Sequence, residues 1–169
     1  MSAPNHPILD AMKEFSGQIN ATGLRFAIAV SRFNSIFTEQ LVGGAVDCIV
    51  RHGGSADDIA VVRVPGANEL PLAVQRLARS GSCDAIIALG CVIQGATAHA
   101  DLINAQVARS LAQIGLETGI PVTNGVIAAG SLDQAVERSG SKMGNKGWEA
   151  ASAAIEMASL FKTLPPAKA

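Results

Sequence analysis

The sequence predicts an α/β fold: a single three-layer α/β/α domain on one parallel four-stranded sheet with helices on both faces. Three observations carry this. Short apolar runs rich in β-branched residues alternate with longer stretches whose apolar residues recur every three or four positions, the pattern of strands joined by helical crossovers. The run "DAIIALGCVIQG" (84–95) is apolar on both faces, as a strand covered on both sides has to be. The chain has 169 residues, 49% of them hydrophobic, which suits one domain with a real core and excludes a disordered polypeptide.

In chain order, residues 1–22 carry Pro4 and Pro7 and no clear period, and are expected to form an N-terminal arm. The domain proper is expected over 23–164, with 165–169 as a tail. "LRFAIAVS" (24–31) is the first strand. Phe37, Leu41, Ala45, Cys48 and Ile49 then mark an amphipathic helix that stops at Gly53-Gly54. "DIAVVRVPG" (58–66) is the second strand. "ELPLAVQRLARSG" (69–81) is a helix in which Pro71 fits the first turn, where a missing N–H costs little. Residues 84–95 form the third strand, 98–117 a helix ending near Gly119, and "IPVTNGVIAA" (120–129) the fourth strand. "SLDQAVERSG" (131–140) opens with Ser131 and Gln134 at capping-box spacing. "SKMGNKG" reads as a polar, glycine-rich joint. The last helix runs from about Asn145 to Leu164, with Ala150, Ala153, Ala154, Met157, Leu160, Phe161 and Leu164 on one stripe. No internal repeat or low-complexity tract interrupts this order.

Composition narrows the function classes. The net charge is −1 and the pI near 6.3, without the basic excess of a nucleic-acid or membrane-surface binder. Charged residues are only 16%, low for a domain whose surface is large relative to its volume, so part of that surface is expected to lie in an oligomer interface. Cys48, Cys83 and Cys91 are odd in number, far apart and in apolar surroundings; they read as buried thiols of a reducing compartment, with neither metal spacing nor a disulfide framework. No apolar run reaches 18 residues and no signal-peptide pattern opens the chain, which points to the cytoplasm.

Ligands of open parallel sheets collect beyond the carboxyl ends of the strands, so the candidates lie after each one. After the first is "SRFN" (31–34), where Phe33 is either a staple on the following helix or a stacking platform for a flat ring. After the second is "VPGANELP" (64–71), where Glu69 is either an ordinary first-turn acid or an acceptor for ligand hydroxyls. After the third is "GCVIQGATAH" (90–99). Gly95, Ala96 and Thr97 leave backbone N–H groups free at a helix N-terminus for an anion, and this matches neither a dinucleotide-binding loop nor a P-loop. His99 in the first turn is either helix surface or, as a neutral imidazole, a proton acceptor. After the fourth is the "NGVIAAG" region (124–130). Finally "ERSGSKMGNKG" (137–147) brings together Arg138, Lys142 and Lys146, either a solvated joint or a phosphate site with the Arg138 fork. The residues alone reach a phosphorylated, hydroxylated or ring-bearing small molecule and no further.

Five segments, "NATGLRFAIAVSRFN" (20–34), "VPGANELPLA" (64–73), "ALGCVIQGATAHADLI" (88–103), "DQAVERSGSKMGNKGWEAA" (133–151) and "IEMASLFK" (155–162), stand in the order and spacing of a known family. From about residue 16 to 163 the chain resembles lumazine synthase (6,7-dimethyl-8-ribityllumazine synthase). The resemblance implies a flavodoxin-like domain that condenses 5-amino-6-(D-ribitylamino)uracil with 3,4-dihydroxy-2-butanone 4-phosphate, the penultimate step of riboflavin biosynthesis, without a cofactor or metal. It implies that Phe33 stacks on the pyrimidine, that Ala67, Asn68 and Glu69 bind the ribitylamino-uracil, and that Cys91, Val92 and Ile93 line the ring through their backbone. It places the butanone phosphate on Ala96, Thr97 and Arg138 with Lys146 nearby, makes His99 the proton-transfer residue, and has Asn124 and Arg138 reach a neighbouring subunit's site. The chain departs from the family at Asn124, where many members carry an aromatic residue, at the small Ala98 and Ala100 beside the histidine, and in "IAAGS" (127–131), which lacks the frequent threonines.

The resemblance also implies a pentamer, and the short "GSKMGNKG" joint favours twelve pentamers in a 60-subunit icosahedral shell, the arm adding to a neighbour's sheet. Riboflavin synthase is the one protein partner it suggests. The rival readings are a module that binds lumazine or flavin without turnover and a shell-forming scaffold with a decayed site; Glu69, His99, Arg138 and Lys146 together speak against the second.

Overall fold

A computed structural model describes residues 12–96 and 99–166. The expected alternation is present: β1 (Phe26–Ser31), α1 (Ser35–Arg51), β2 (Ile59–Val64), α2 (Leu70–Ser80), β3 (Ala85–Ile93), α3 (His99–Thr118), β4 (Val122–Ala129), α4 (Leu132–Arg138), β5 (Ser139–Ser141), β6 (Gly144–Asn145) and α5 (Lys146–Thr163). Short 3₁₀ turns at Ala56–Asp58 and Ala67–Glu69 precede β2 and α2.

Strands β1 to β4 form one four-stranded sheet in the order β2-β1-β3-β4, every pair parallel. The chain moves outward from β1 to β2, then returns past β1 to β3. Crossovers keep one hand, so reversing direction across the sheet requires the connecting helix to change face. The core shows this change. Leu41, Ala45, Cys48 and Ile49 of α1 pack with Ala150, Ala154 and Ile155 of α5 against Phe26, Ile28 and Val30. Leu70 and Val74 of α2 pack with Val107, Leu111 and Ile114 of α3 against Ala27, Ala29 and Ile86 on the other face. The β1–β3 junction is therefore the point where successive connections diverge, leaving a crevice beyond the strand ends.

Central β3 is buried from Ala85 to Cys91. Ile86, Ile87 and Leu89 are fully buried, and each such side chain contributes roughly 1.5–3 kcal/mol through removal from water. Helix ends follow their sequence signals. Gly81 terminates α2 in the left-handed region (φ 68°). Ser131 Oγ accepts from Gln134 N (3.3 Å) at the start of α4, but Gln134 Oε1 accepts from Gly130 N (2.8 Å), one residue earlier than a capping box requires. The "SKMGNKG" joint is more ordered than its composition suggests: β5 and β6 pair antiparallel across it, strands too short to show a period in sequence.

Of the arm, residues 12–22 are described and 1–11 lie outside the described residues. Ala21 is buried, its N–H donating to His52 O (2.8 Å), and Gln18 N donates to Ser159 Oγ (3.1 Å), so this stretch crosses its own α1 and α5. The three thiols are free and buried. At the far, amino-terminal end of the sheet Arg25 pairs with Asp84 (3.1 Å). No helix among the described residues is long and apolar enough to cross a membrane.

Candidate active site

A cleft of about 420 Å³ opens at the carboxyl ends of β1, β2 and β3, at the junction where the connections diverge. Its walls come from three loops. Phe33 and Asn34 follow β1; Gly66, Ala67, Asn68 and Glu69 follow β2; Cys91, Val92 and Ile93 end β3, Gly95 follows it, and His99, Ala100 and Ile103 of α3 complete the wall. Phe33, Ala67, Asn68, Glu69, Cys91, Val92, Ile93 and His99, all singled out in the sequence, thus share one cavity.

Each loop has a local reason for its shape. Arg32 N donates to Val64 O (2.8 Å) and Phe33 N to Pro65 O (3.1 Å), which ties the turn after β1 to the end of β2. Phe33 is left 71% exposed, a bare aromatic face over the cleft rather than a staple against α1. Asn34 adopts φ 60°, the one non-glycine residue with positive φ among the described residues, a conformation asparagine tolerates better than most. It stands at the N-cap position of α1, yet its side chain does not cap. Its Nδ2 donates to Cys91 O (2.8 Å), bridging the ends of β1 and β3 across the crevice. Sequence reading missed this residue because an asparagine before a helix looks like an ordinary cap. After β2, a Cβ on Gly66 would sit 3.0 Å from Glu69 Oε2; the glycine lets the carboxylate fold back over the loop. Gly66, Asn34, Ala100 and Ile103 are the lining residues not foreseen.

The cleft is mostly apolar, with Glu69 as its carboxylate and His99 as its titratable nitrogen base, and no lysine or arginine among the described residues lines it. Cys91 forms wall rather than nucleophile: it is 2% exposed, and burial pushes its thiol up to about 11, so it stays protonated at neutral pH.

The remaining candidates lie elsewhere. Arg138 and Lys146 line a second pocket of about 320 Å³ with Val126, Ile127, Ala128, Met143 and Glu149. Three consecutive β4 residues line it, although their side chains alternate faces, so the pocket opens at the edge of the sheet. Arg138 Nη1 donates to Ala128 O (3.0 Å), and Lys146 Nζ pairs with Glu149 Oε2 (3.3 Å). Asn124 lies within β4 rather than after it, exposed, with Oδ1 accepting from Val126 N (3.0 Å). Ala96 is exposed and lines neither pocket; Thr97 lies outside the described residues. Among the described residues, one chain thus has a mostly apolar cleft lined by no lysine or arginine, and cations at a different edge.

Residues 23–162 match the family described as 6,7-dimethyl-8-ribityllumazine synthase. Among curated relatives, the protein of that name from Aquifex aeolicus is 55% identical over 153 residues, covering 90% of this chain and 99% of the relative. Those from Chlorobaculum tepidum (53%) and Chloroherpeton thalassium (50%) match over the same length and the same shares.

Proposed function

We propose an activity from one premise: the chain belongs to the 6,7-dimethyl-8-ribityllumazine synthase family. It is a transferase of riboflavin biosynthesis that condenses 5-amino-6-(D-ribitylamino)uracil with 3,4-dihydroxy-2-butanone 4-phosphate, releasing phosphate and water. The observation that carries this reading is the cleft at the β1–β3 junction that gathers an exposed aromatic from the turn after β1, a carboxylate from the turn after β2 and an imidazole from the start of α3.

The roles follow from what each group can do. Phe33 stacks on the pyrimidine, while Cys91, Val92 and Ile93 present backbone along the ring edge. Ala67 and Asn68 flank it, and Glu69 accepts hydrogen bonds from ribityl hydroxyls. The uracil amine adds to the butanone ketone and the carbinolamine loses water to an imine; phosphate is then eliminated, the resulting enol becomes a ketone, and the ribitylamino nitrogen closes the ring on that carbonyl with loss of a second water. Each step moves a proton, and His99 in the cleft wall is the base and acid for it. Holding both substrates together supplies much of the rate, so dependence on His99 is moderate. Departing phosphate requires fixed positive charge, the role of Arg138 and Lys146 with the Ala96-Thr97 backbone.

Because these cations lie apart from the cleft in one chain, we assign each complete site to two subunits: Arg138, Lys146 and Asn124 of one copy face the cleft of the next. Leu72 and Leu116, exposed at 76% and 81% on α2 and α3, support burial in such an assembly. We take the ring to be a pentamer, twelve of which close a 60-subunit shell in the cytoplasm, with residues 1–22 as an N-terminal arm, 23–164 as the catalytic domain and 165–169 as a tail. Sedimentation separates pentamer from shell. Absorbance of lumazine formed from the two substrates by purified protein tests the activity; bound lumazine without phosphate release contradicts it.

A further inference from the structure

The Asn145 side chain makes four hydrogen bonds. Its Oδ1 accepts from Gly147 N (2.8 Å) and Trp148 N (3.1 Å), capping α5. Its Nδ2 donates to Gln40 O in α1 (2.9 Å) and to Ser139 O (3.3 Å). The first pair is what a helix start needs. The second pair is not: it ties the joint to the middle of another helix and to the residue that follows Arg138. Lys146 follows Asn145 directly. One amide is therefore fastened beside both cations of the edge pocket.

The sequence of α1 makes room for it. Gly43 and Gly44 are adjacent poor helix formers. A Cβ on Gly43 would meet nothing within 4 Å, whereas one on Gly44 would lie 2.3–2.6 Å from the Asn145 amide atoms. Gly147 approaches α1 as closely, its added Cβ falling 2.0 Å from Leu41 O. The first turn of α5 thus sits in a notch on α1.

We infer that Asn145, seated in the Gly44 notch, is the positioning residue that fixes Arg138 and Lys146 for the phosphate end of the substrate. This rests on the reading of those cations as the phosphate site. Asn145 touches no substrate; it acts by setting where the guanidinium and ammonium stand, and such placement matters because a 1 Å misplacement can lower rate by roughly a hundredfold.

Asn145→Ser separates positioning from capping, since the hydroxyl still accepts from the first turn of α5 but no longer donates to both carbonyls. KM for each substrate, kcat and inhibition by inorganic phosphate are measured for Asn145→Ser, Gly44→Ala, Gly43→Ala and Arg138→Gln. Asn145→Ser and Gly44→Ala are expected to raise KM for the butanone phosphate and Ki for inorganic phosphate by about tenfold, short of that limit, with KM for the ribitylamino-uracil unchanged; Gly43→Ala changes neither. If Gly44→Ala does not fold, Asn145→Ser carries the test. An unchanged phosphate KM in Asn145→Ser, with a raised one in Arg138→Gln, overturns the positioning role and leaves the phosphate site standing. Unchanged values in Arg138→Gln as well overturn both. Misfolding of Asn145→Ser, or an equal rise in both KM values with a lower Tm, reduces Asn145 to a structural cap and also overturns the inference.

Discussion

The cleft at the β1–β3 junction and the pocket on the β4 edge differ in kind. Among the described residues the cleft is mostly apolar, carries Glu69 and His99 and is lined by no arginine or lysine, whereas the edge pocket holds Arg138 and Lys146 and is lined by no aromatic side chain. The proposed reaction, which joins a flat ring to a phosphorylated ketone, draws on both sets of groups. On the proposed function, the difference teaches that ring recognition and charge neutralisation are built at separate places of one fold, and the proposed assembly is what joins them. It also bears on how each is held. The cleft is set by the strand ends and the Asn34–Cys91 bridge, the pocket by the β5–β6 hairpin and the Asn145 tether.

Removing charge from the edge pocket should have the largest effect. Arg138→Ala is expected to lower kcat/KM by about 10²–10³-fold, the cost of one lost donor to developing charge, with KM for the butanone phosphate rising. A similar rise in KM for the uracil would break the division of labour. Within the cleft, His99→Ala should lower turnover by about 10- to 1000-fold while leaving both KM values near those of the parent; unchanged turnover at saturation removes His99 from the chemistry. Phe33→Ala removes a stacking contact of roughly 1 kcal/mol, so KM for the uracil substrate should rise about fivefold and that for the phosphate substrate should not move.

Two smaller effects sharpen the contrast with the rest of the molecule. Cys91 lines the cleft, but its thiol is buried and held up near 11, so iodoacetamide near neutral pH should leave native protein unmodified and active; rapid labelling with loss of activity contradicts this. At the opposite end of the sheet Asp84 titrates below the usual carboxylate range. Burial alone would raise it, but hydrogen bonds from the Arg25 side chain and backbone, together with its charge, outweigh that. A lowered value stabilises the fold above about pH 4 and is lost as pH falls through it. The Tm of Asp84→Asn should therefore fall less on acidification than that of the parent, with activity at neutral pH unaltered.

Much of the fold was legible because each element carries its own period. The β-branched runs at 26–31 and 85–93 and the three-and-four spacing of Phe37, Leu41, Ala45, Cys48 and Ile49 are local signals, and the structure has those elements within a few residues. The cleft was half legible. Its residues follow successive strands, so Phe33, Glu69 and His99 could be proposed one by one. That they meet while Arg138 and Lys146 stand apart depends on the order β2-β1-β3-β4, with β4 at the edge, and no local pattern encodes that order. Asn34 and Asn145 were hidden for a related reason. Each looks like a helix cap, and what distinguishes them is a donor bond to a carbonyl distant in sequence, Cys91 for one and Gln40 for the other.

The central claim is that the cleft of one subunit and the edge pocket of its neighbour make one site. His99→Ala and Arg138→Ala proteins, each impaired alone, are unfolded together, refolded as mixed oligomers and assayed for lumazine formation. Activity well above the average of the two separate variants is the predicted result, because some sites then pair an intact cleft with an intact Arg138. Activity no greater than that average, in oligomers shown to be mixed, would contradict a shared site.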